Sequence, residues 1–330
     1  MDATSNPKPL ALTHLGRYVV EEWVEEYRDG RLGRREFLRR IGVFSGGAVL
    51  AGGLLAVLGV EATPDEVAAA VVAQAPARLA AAAPTVAPND PAVHAQMITY
   101  PSTAANIYPT PTTSVIAYLA QPVGKPIAPG VVVTHENRGL LDHHMDVARR
   151  LAKAGYVALA PDLASPIGGT AKYPDLAQVS TFLGQAPADQ LVGMLNDGVK
   201  YLGTLASVRH DALGAMGFCF GGGLTWQLAM QNADLKAVVP FYGPNPPSLD
   251  GVARIRAAVL AFYGGLDQRV DAGIPAMQAA LERAGVVHEI VIEPNANHAF
   301  FNDTGSAYNA TAAADAWPKT LAWFGKYLGA

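Results

Sequence analysis

A regular alternation of short apolar runs and amphipathic segments, from about residue 93 to the C-terminus, is the strongest constraint on the fold. The apolar runs are rich in β-branched residues, which is typical of buried strands, whereas the amphipathic segments have helical spacing. This alternation predicts the α/β class, with a mostly parallel central sheet and helices on both faces. The predicted strands span 114–120, 130–134, 157–160, 212–218, 237–241, 257–263 and 288–292, and the predicted helices span 142–154, 189–205, 222–230, 274–284 and 310–328.

The composition permits a large core and excludes some classes of function. Half of the 330 residues are hydrophobic and 16% are charged, so the chain can bury a sizeable core. The formal net charge of −4 argues against a nucleic-acid partner, which requires a basic face. The single cysteine, Cys219, excludes an intramolecular disulfide and a zinc site of several thiolates.

The N-terminal part of the chain carries a pattern of its own. Paired arginines, Arg34 and Arg35, precede an uncharged, glycine-diluted apolar run from Ile41 to Val60. This pattern resembles a twin-arginine export signal, and it predicts the twin-arginine translocation machinery as a partner and a periplasmic or extracellular location. The run is also about as long as a membrane-spanning helix. The alternative is therefore an uncleaved anchor over 41–60 that holds the protein on the membrane, facing outward.

These patterns divide the chain into three predicted parts. Residues 1–60 form a leader with the twin-arginine signal and the apolar segment. Residues 61–92 form a linker, since they are rich in Ala and Pro and lack the pattern of packed elements. Residues 93–330 form the α/β domain, and its site is expected at the carboxyl ends of the strands.

Cys219 lies in a sequence that is typical of a nucleophile elbow. Glycines at 217, 221 and 222 surround it, an apolar strand precedes it and a helix follows, with cysteine where serine is more usual. A helix N-terminus favours the thiolate, and the backbone N–H of Phe220 is placed to bind an oxyanion. The alternative is a glycine-rich turn that contains an ordinary buried cysteine.

A nucleophile requires a base, and the base requires a third group that orients it. Asp267 and His298 each follow a predicted strand, so both are expected at the same edge of the sheet as Cys219. In α/β proteins with a nucleophile elbow, the nucleophile comes first along the chain, the acid second and the histidine third, which is the order here. Asp271 is the competing acid, although it lies further into its loop.

Several segments together resemble the dienelactone hydrolase (carboxymethylenebutenolidase) family from about residue 114 to the C-terminus. They are Thr-His-Glu-Asn-Arg-Gly-Leu at 134–140, Ala-Gly-Tyr-Val-Ala-Leu-Ala-Pro-Asp-Leu at 154–163, the elbow at 217–222 and the segments around Asp267 and His298. The resemblance implies an α/β-hydrolase fold, a triad of Cys219, His298 and Asp267, and hydrolysis of a small ester or lactone without a cofactor.

The resemblance also implies roles for residues that follow the second predicted strand. Glu136 is expected near the nucleophile, where it helps to control ionisation of the thiol, and the backbone N–H of Asn137 is expected to be the second oxyanion donor. Family members that act on dienelactone carry an arginine shortly after the catalytic histidine, whereas 299–303 contain none. Dienelactone itself is therefore not the expected substrate. Arg138 is a candidate for binding an anion, the alternative being a loop charge.

Other candidates have alternatives of their own. Tyr242 and Phe300 predict an apolar substrate pocket, unless they only pack. The cluster Asp142, His143, His144 and Asp146 suggests a metal site, but it stands at the start of a predicted helix, and no metal is expected there. Two other functions stay open: an exported thiol acyltransferase or redox protein, and a non-catalytic binding protein on a hydrolase scaffold.

Overall fold

The structure, a computed structural model, describes residues 12–73, 84–104 and 113–329. These residues divide into two compact units. One, here named the helical unit, contains the described residues up to 73 together with 171–186. The other, here named the sheet unit, contains the described residues from 84 to 170 and from 187 onwards.

The sheet unit is built on one sheet of eight strands in the order β1-β2-β4-β3-β5-β6-β7-β8. The strands are β1 Val93–Pro101, β2 Ser114–Pro122, β3 Ala128–Thr134, β4 Val157–Pro161, β5 Val208–Phe218, β6 Leu235–Phe241, β7 Ala258–Gly264 and β8 His288–Glu293. β2 runs antiparallel to both of its neighbours, and all the other pairs are parallel. The predicted mostly parallel sheet is confirmed.

The sheet is covered by helices on both of its faces. Every residue of β3, β4 and β7 is buried, which requires cover on each side, because successive side chains of a strand point to opposite faces. The covering helices are α5 Asp142–Lys153, α7 Ala188–Thr204, α8 Phe220–Gln231, α9 Gln268–Asp271, α10 Ile274–Ala284 and α11 Ala310–Leu328. The core therefore lies along the parallel strands.

β1 is the strand of this sheet that the sequence pattern did not reveal. Of its nine residues only Val93 and Tyr100 are buried, so neither an apolar run nor a clean alternation marks it. It is an edge strand, and it pairs along its whole length with β2. Tyr100 fastens this edge, since its hydroxyl donates to the carbonyl of Met194 in α7 at 2.8 Å.

The register of the parallel strands brings the ends of distant segments to one level. Thr134 of β3 pairs with Gly217 of β5, so Glu136 and Cys219 each stand two residues beyond the same pair. Phe241 of β6 pairs with Phe218 of β5 on one side and with Phe262 of β7 on the other, and Gly264 of β7 pairs with Glu293 of β8. The loops that carry Glu136, Cys219, Asp267 and His298 therefore leave the sheet along one edge.

The helical unit joins two distant stretches of the chain. Its helices are α1 His14–Arg28, α2 Arg34–Ser45, α3 Ala48–Val57, α4 Pro64–Val71 and α6 Leu176–Gln185. Buried Arg39 of α2 donates through Nε and Nη2 to the two carboxylate oxygens of Glu36, both at 2.7 Å, and also bonds Asp175 at the start of α6. Thr13 Oγ1 donates to the carbonyl of Gly184 at 2.6 Å. α6 is thus fastened to both α1 and α2.

The predicted apolar run at 41–60 is divided between α2 and α3. Gly46 ends α2 with a φ of 76°, Gly47 follows with a φ of 140°, and the two helices meet at a bend of 112°. Among the described residues no single helix has the length and apolar character to cross a membrane, although this bent pair meets both criteria when taken together. The export signal stays a prediction.

A helix, α4, occupies part of the predicted linker. Thr63 and Glu66 form a reciprocal capping box, in which the Thr63 side chain accepts from the Glu66 N–H and the Glu66 carboxylate accepts from the Thr63 N–H. The high Ala and Pro content obscured this start signal. Residues 74–83 of the predicted linker lie outside the described residues.

Candidate active site

Cys219 has the strained backbone that an elbow requires. It follows β5 directly and is the N-cap of α8, with a φ of 58° and a ψ of −122°. A positive φ is uncommon for a residue with a side chain and is a marker of functional sites. Its N–H donates to the carbonyl of Phe241 at 3.0 Å, and its carbonyl accepts from the N–H of Gly223 at 3.1 Å. These bonds hold the turn from strand to helix.

The elbow glycines are needed because backbones approach one another closely there. A Cβ on Gly221 would lie 2.6 Å from the carbonyl oxygen of Thr134 and closer still to that of His135. A Cβ on Gly217 would collide with the Gly221 carbonyl. The first turn of α8 is thereby packed against the end of β3, which brings the Glu136 loop beside Cys219.

His298 and Asp267 form a direct pair, as their positions predicted. The Nδ1 atom of His298 lies 2.5 Å from Oδ2 of Asp267, and both side chains are buried. The other carboxylate oxygen, Oδ1, accepts from the N–H of Val270 at 3.2 Å and caps α9. A ring nitrogen of His298 lies within 4.8 Å of the Cys219 Sγ atom. The structure thus brings the three predicted residues together.

The two candidate acids differ in their electrostatics. Burial raises the pKa of Asp267, but the charge and hydrogen bond of His298 outweigh it, so the pKa lies below its ordinary value. Burial and the neighbouring Asp267 raise the pKa of Asp271 to about 6. Because Asp267 bonds to His298 and is the acid with the lower pKa, it is the better partner for a histidine that becomes charged.

A close approach of two loops sets the position of His298. Gly264, at the end of β7, lies against the loop after β8, where a Cβ would be 2.6 Å from the carbonyl of Asn297. The next residue after the histidine, Ala299, has a φ of 61°. The ring of Tyr242 packs edge-on to His298 at 5.0 Å between centroids. The position of His298 is therefore fixed by the backbone around it and by the packing of Tyr242 on its ring.

Aromatic side chains pack beneath the elbow. Phe218 stacks on Phe301 with ring centroids 5.6 Å apart, and Phe300 packs edge-on to Tyr242 at 5.4 Å. Tyr242 and Phe300, which were predicted to bind substrate, are both fully buried. These contacts favour the packing alternative for Phe300, whereas Tyr242 also packs directly on His298.

Glu136 lies at the predicted edge with a specific partner. Its Oε2 atom accepts from Nδ2 of Asn302 at 2.8 Å, while Oε1 is buried without a hydrogen-bond partner among the described residues. Asn137, the predicted second oxyanion donor, follows in the same loop and is buried. Phe220, the predicted first donor, opens α8, where backbone N–H groups lack intrahelical acceptors. Arg138 is half-buried in that loop.

Two histidines that the sequence did not mark as functional hold the backbone of Glu136. His135 Nδ1 lies 2.6 Å from the Glu136 carbonyl oxygen, and the Glu136 N–H donates to Nε2 of His144 at 3.2 Å. Burial lowers the pKa of His135 and holds that of His144 well below its usual range. No periodicity or motif identifies such side-chain bonds to the backbone.

The Asp142–Asp146 cluster, considered above as a metal site, makes protein contacts instead. His143 Nδ1 lies 2.8 Å from Oδ1 of Asp303, which also pairs with Arg150. These two partners lower the pKa of Asp303 to about 2, although burial opposes them. Asp146 accepts from the Val86 N–H at 2.8 Å. Within the described part of the sheet unit, no three His, Cys, Asp or Glu side chains bring ligand atoms within 4.8 Å of one another.

Comparison with known proteins agrees with this architecture. The profile of the Dienelactone hydrolase family matches residues 115–328, a range that includes Cys219, Asp267 and His298. The chain belongs to the dienelactone hydrolase family. Hydrolysis of esters or lactones is therefore the activity of its family, and the sheet unit has an α/β-hydrolase fold.

Three relatives match between 64% and 72% of the chain. A candidate carboxymethylenebutenolidase of Methylorubrum extorquens is 36% identical over 223 residues, which are 64% of this chain and 76% of that protein. A crystal structure of a candidate dienelactone hydrolase from Klebsiella pneumoniae has a TM-score of 0.63 at 31% identity and covers 72% of this chain and 100% of its own. A dienelactone hydrolase-like promiscuous phosphotriesterase from metagenomic libraries has a TM-score of 0.62 at 30% identity, with the same coverage.

Proposed function

We propose that this protein hydrolyses small esters or lactones with a triad of Cys219, His298 and Asp267. The observation that supports the proposal best is the His298–Asp267 bond of 2.5 Å beside a cysteine in a strained turn at a helix N-terminus. A sulfur nucleophile, an imidazole within 4.8 Å of it and a buried carboxylate on the far ring nitrogen are the three groups that acyl transfer needs.

The proposed reaction has two stages. The Cys219 thiolate attacks the substrate carbonyl, and the backbone N–H groups of Phe220 and Asn137 stabilise the oxyanion. The tetrahedral intermediate collapses to a thioester, and the proton that the thiol gave up reaches the departing alkoxide through His298. His298 then takes a proton from water and the hydroxide attacks the thioester. The acid leaves as His298 returns that proton to the sulfur, which restores the thiol. No cofactor takes part in these steps.

Glu136 is proposed to share one proton with the Cys219 thiol. The two groups stand at the same level of β3 and β5, and the Gly221 turn packs against the backbone just before Glu136. Where a carboxylate and a thiol are neighbours, ionisation of one disfavours ionisation of the other. The carboxylate would therefore keep the resting thiol protonated and accept its proton when substrate binds.

The proposed substrate has a small acyl group without an essential carboxylate. The segment 299–303 after the catalytic histidine contains no arginine. Asn302 in this segment instead donates to Glu136. Arg138 is the candidate for any anionic group on the substrate.

The experiment is hydrolysis of a panel of p-nitrophenyl esters and lactones by wild type and by Cys219→Ala, Cys219→Ser and His298→Gln. The panel includes a phosphotriester, because one relative of similar fold has that activity. We expect Cys219→Ala to lose ester hydrolysis, and mass spectrometry to find an acyl adduct on Cys219, the only thiol of the chain. Full activity in Cys219→Ala would refute the proposal. Loss of activity under mild reductant would instead favour the redox alternative.

We also propose that the protein is exported by the twin-arginine route. The proposal rests on the Arg34-Arg35 pair and the uncharged run from Ile41 to Val60. Replacing both arginines by lysine should retain the protein in the cytoplasm, whereas Arg28→Lys should not. Intact mass of the exported chain distinguishes a cleaved signal from a membrane anchor. Equal export of the paired variant and wild type would refute the route.

A further inference from the structure

Three side chains with no role in the proposed acyl transfer hold Glu136 at both its backbone and its carboxylate. His135 and His144 bond the Glu136 carbonyl and N–H, at 2.6 Å and 3.2 Å. Asn302 bonds Oε2 at 2.8 Å from a position 166 residues further along the chain. A buried residue held at two points of its backbone and at one carboxylate oxygen has little freedom to leave its position.

The directions of the backbone bonds fix the protonation of both histidines. The Glu136 N–H can only donate, so Nε2 of His144 carries no hydrogen. The Leu163 N–H likewise donates to Nε2 of His135 at 3.0 Å, so the hydrogen of His135 is on Nδ1, which donates to the Glu136 carbonyl. Both rings are neutral in this arrangement, in agreement with their burial. The groups that face His144 are His135, His143 and Phe218.

The orientation of the Asn302 amide is also determined. Its Oδ1 atom accepts from both the N–H and the hydroxyl of Thr304, at 3.0 Å and 2.7 Å. The NH₂ group must then be the one that faces Glu136. Next to it, Asp303 is bound by His143 and Arg150. The loop that carries the donor is thus fastened at the two residues that follow Asn302.

We propose that His144 and Asn302 are positioning residues, which hold Glu136 where its carboxyl and the Cys219 thiol share one proton. The inference rests on the proposed role of Glu136. In the shared step the S–H bond of Cys219 breaks and an O–H bond forms on Glu136, which leaves a thiolate beside a neutral carboxylic acid. Oε1 is the oxygen that lacks a partner among the described residues, and it is the atom assigned to take the proton.

The test is the pH profile of alkylation of Cys219 by iodoacetamide, with intact mass as the readout. Because the chain has one cysteine, the rate reports on this thiol alone. An ionised Glu136 disfavours the thiolate, so we expect Glu136→Gln to lower the midpoint of the profile by about one pH unit. His144→Leu and Asn302→Leu should shift it in the same direction. His144→Gln should stay near wild type, because the Gln oxygen can still accept from the Glu136 N–H.

Double variants separate positioning from general damage. If His144 and Asn302 act through Glu136, adding either leucine to Glu136→Gln should cause no further shift. Exposed His210 provides the control, and His210→Leu should leave the midpoint unchanged. If His144→Leu does not fold, Asn302→Leu and His144→Gln still give the comparison.

The outcomes distinguish this inference from the function on which it rests. A wild-type midpoint in both leucine variants, together with a shifted midpoint in Glu136→Gln, would overturn the positioning roles and leave the role of Glu136 intact. Fully additive shifts in the double variants would also overturn them. An unshifted midpoint in Glu136→Gln would refute the proposed role of Glu136 itself.

Discussion

Asp267→Asn removes one acceptor from a side chain that uses both of its carboxylate oxygens. Oδ2 bonds His298 at 2.5 Å, and Oδ1 accepts from the Val270 N–H at 3.2 Å. The Val270 N–H can only donate, so an amide that keeps this cap must turn its NH₂ group towards His298. The imidazole would then have to accept at Nδ1 and carry its hydrogen on Nε2, the nitrogen that serves the thiol. The variant therefore either loses the helix cap or holds the base in the wrong tautomer.

The size of the effect follows from these two bonds. Loss of an N-cap costs about 1 kcal/mol of stability, which the fold should tolerate. Loss of a hydrogen bond to a charged group costs about 1.5–3 kcal/mol, and each 1.4 kcal/mol is about tenfold in rate. An imidazole held in the wrong tautomer lowers the rate further, and the same substitution in the serine protease triad lowers kcat by about 10⁴-fold. We therefore expect kcat to fall by about 10²–10⁴-fold while KM changes little.

The assay is ester hydrolysis at saturating substrate and pH 8, with Asp271→Asn as the matched control. Asp271 lies one helical turn from Asp267 on α9 and loses the same charge on substitution. Its effect should stay below about tenfold, because it acts on His298 only through space. Activity of Asp267→Asn above about a tenth of wild type, or an equal loss in Asp271→Asn, would refute the assignment.

Three further predictions concern stability. The pKa of Asp271 is raised from 3.8 to about 6, so the folded protein holds this proton more tightly than the unfolded chain does. Wild type therefore loses stability as pH rises through 6. Asp271→Asn should raise Tm at pH 8 but not at about pH 4. Gly221→Ala should lower the free energy of unfolding in urea by about 1–3 kcal/mol, because its Cβ meets backbone oxygens. Gly325→Ala in α11 has open space around it and should raise that free energy by about 0.5–1 kcal/mol. Equal effects would contradict the close approach at Gly221. Arg39→Gln should lower the free energy of unfolding by about 3–5 kcal/mol and make the helical unit sensitive to protease. Substitution of exposed Arg35 by Gln should change that free energy by less than about 0.5 kcal/mol. An Arg39→Gln variant as stable as wild type would contradict the ion-pair argument.

The sheet unit was predictable from sequence because its signals are local. The helices Ile274–Ala284 and Ala310–Leu328 have the predicted bounds, since each ends where its periodicity and its following glycine indicate. β5 begins at Val208, four residues before the predicted 212. Its start was missed because the residues at 209–211 are polar and are half-buried or exposed. Buried strands carry a continuous apolar signal, whereas partly exposed strand ends do not.

The packing of the helical unit was not predictable, because the composition of an apolar segment does not show what it packs against. α2 packs through the burial of Arg39 against Glu36 and Asp175, and Asp175 lies 136 residues further along the chain. A pairing over that distance leaves no trace in a local pattern. The same reason hid α6, whose partners are α1 and α2 and not its neighbours in sequence.

The candidate site shows the same division between local and distant information. Cys219, Asp267 and His298 could be named because each follows a strand, and parallel strands end at one edge. The proposed control of protonation at that site rests on other contacts: the amide of Asn302 on Glu136, two Thr304 donors that orient the amide, and an imidazole that accepts from a backbone N–H. The bond between Asn302 and Glu136 joins residues 166 positions apart, and none of these contacts leaves a recognisable pattern in the sequence. A chain with the same triad and a different residue at 302 would therefore be expected to keep the reaction and to change the pH at which its thiol reacts.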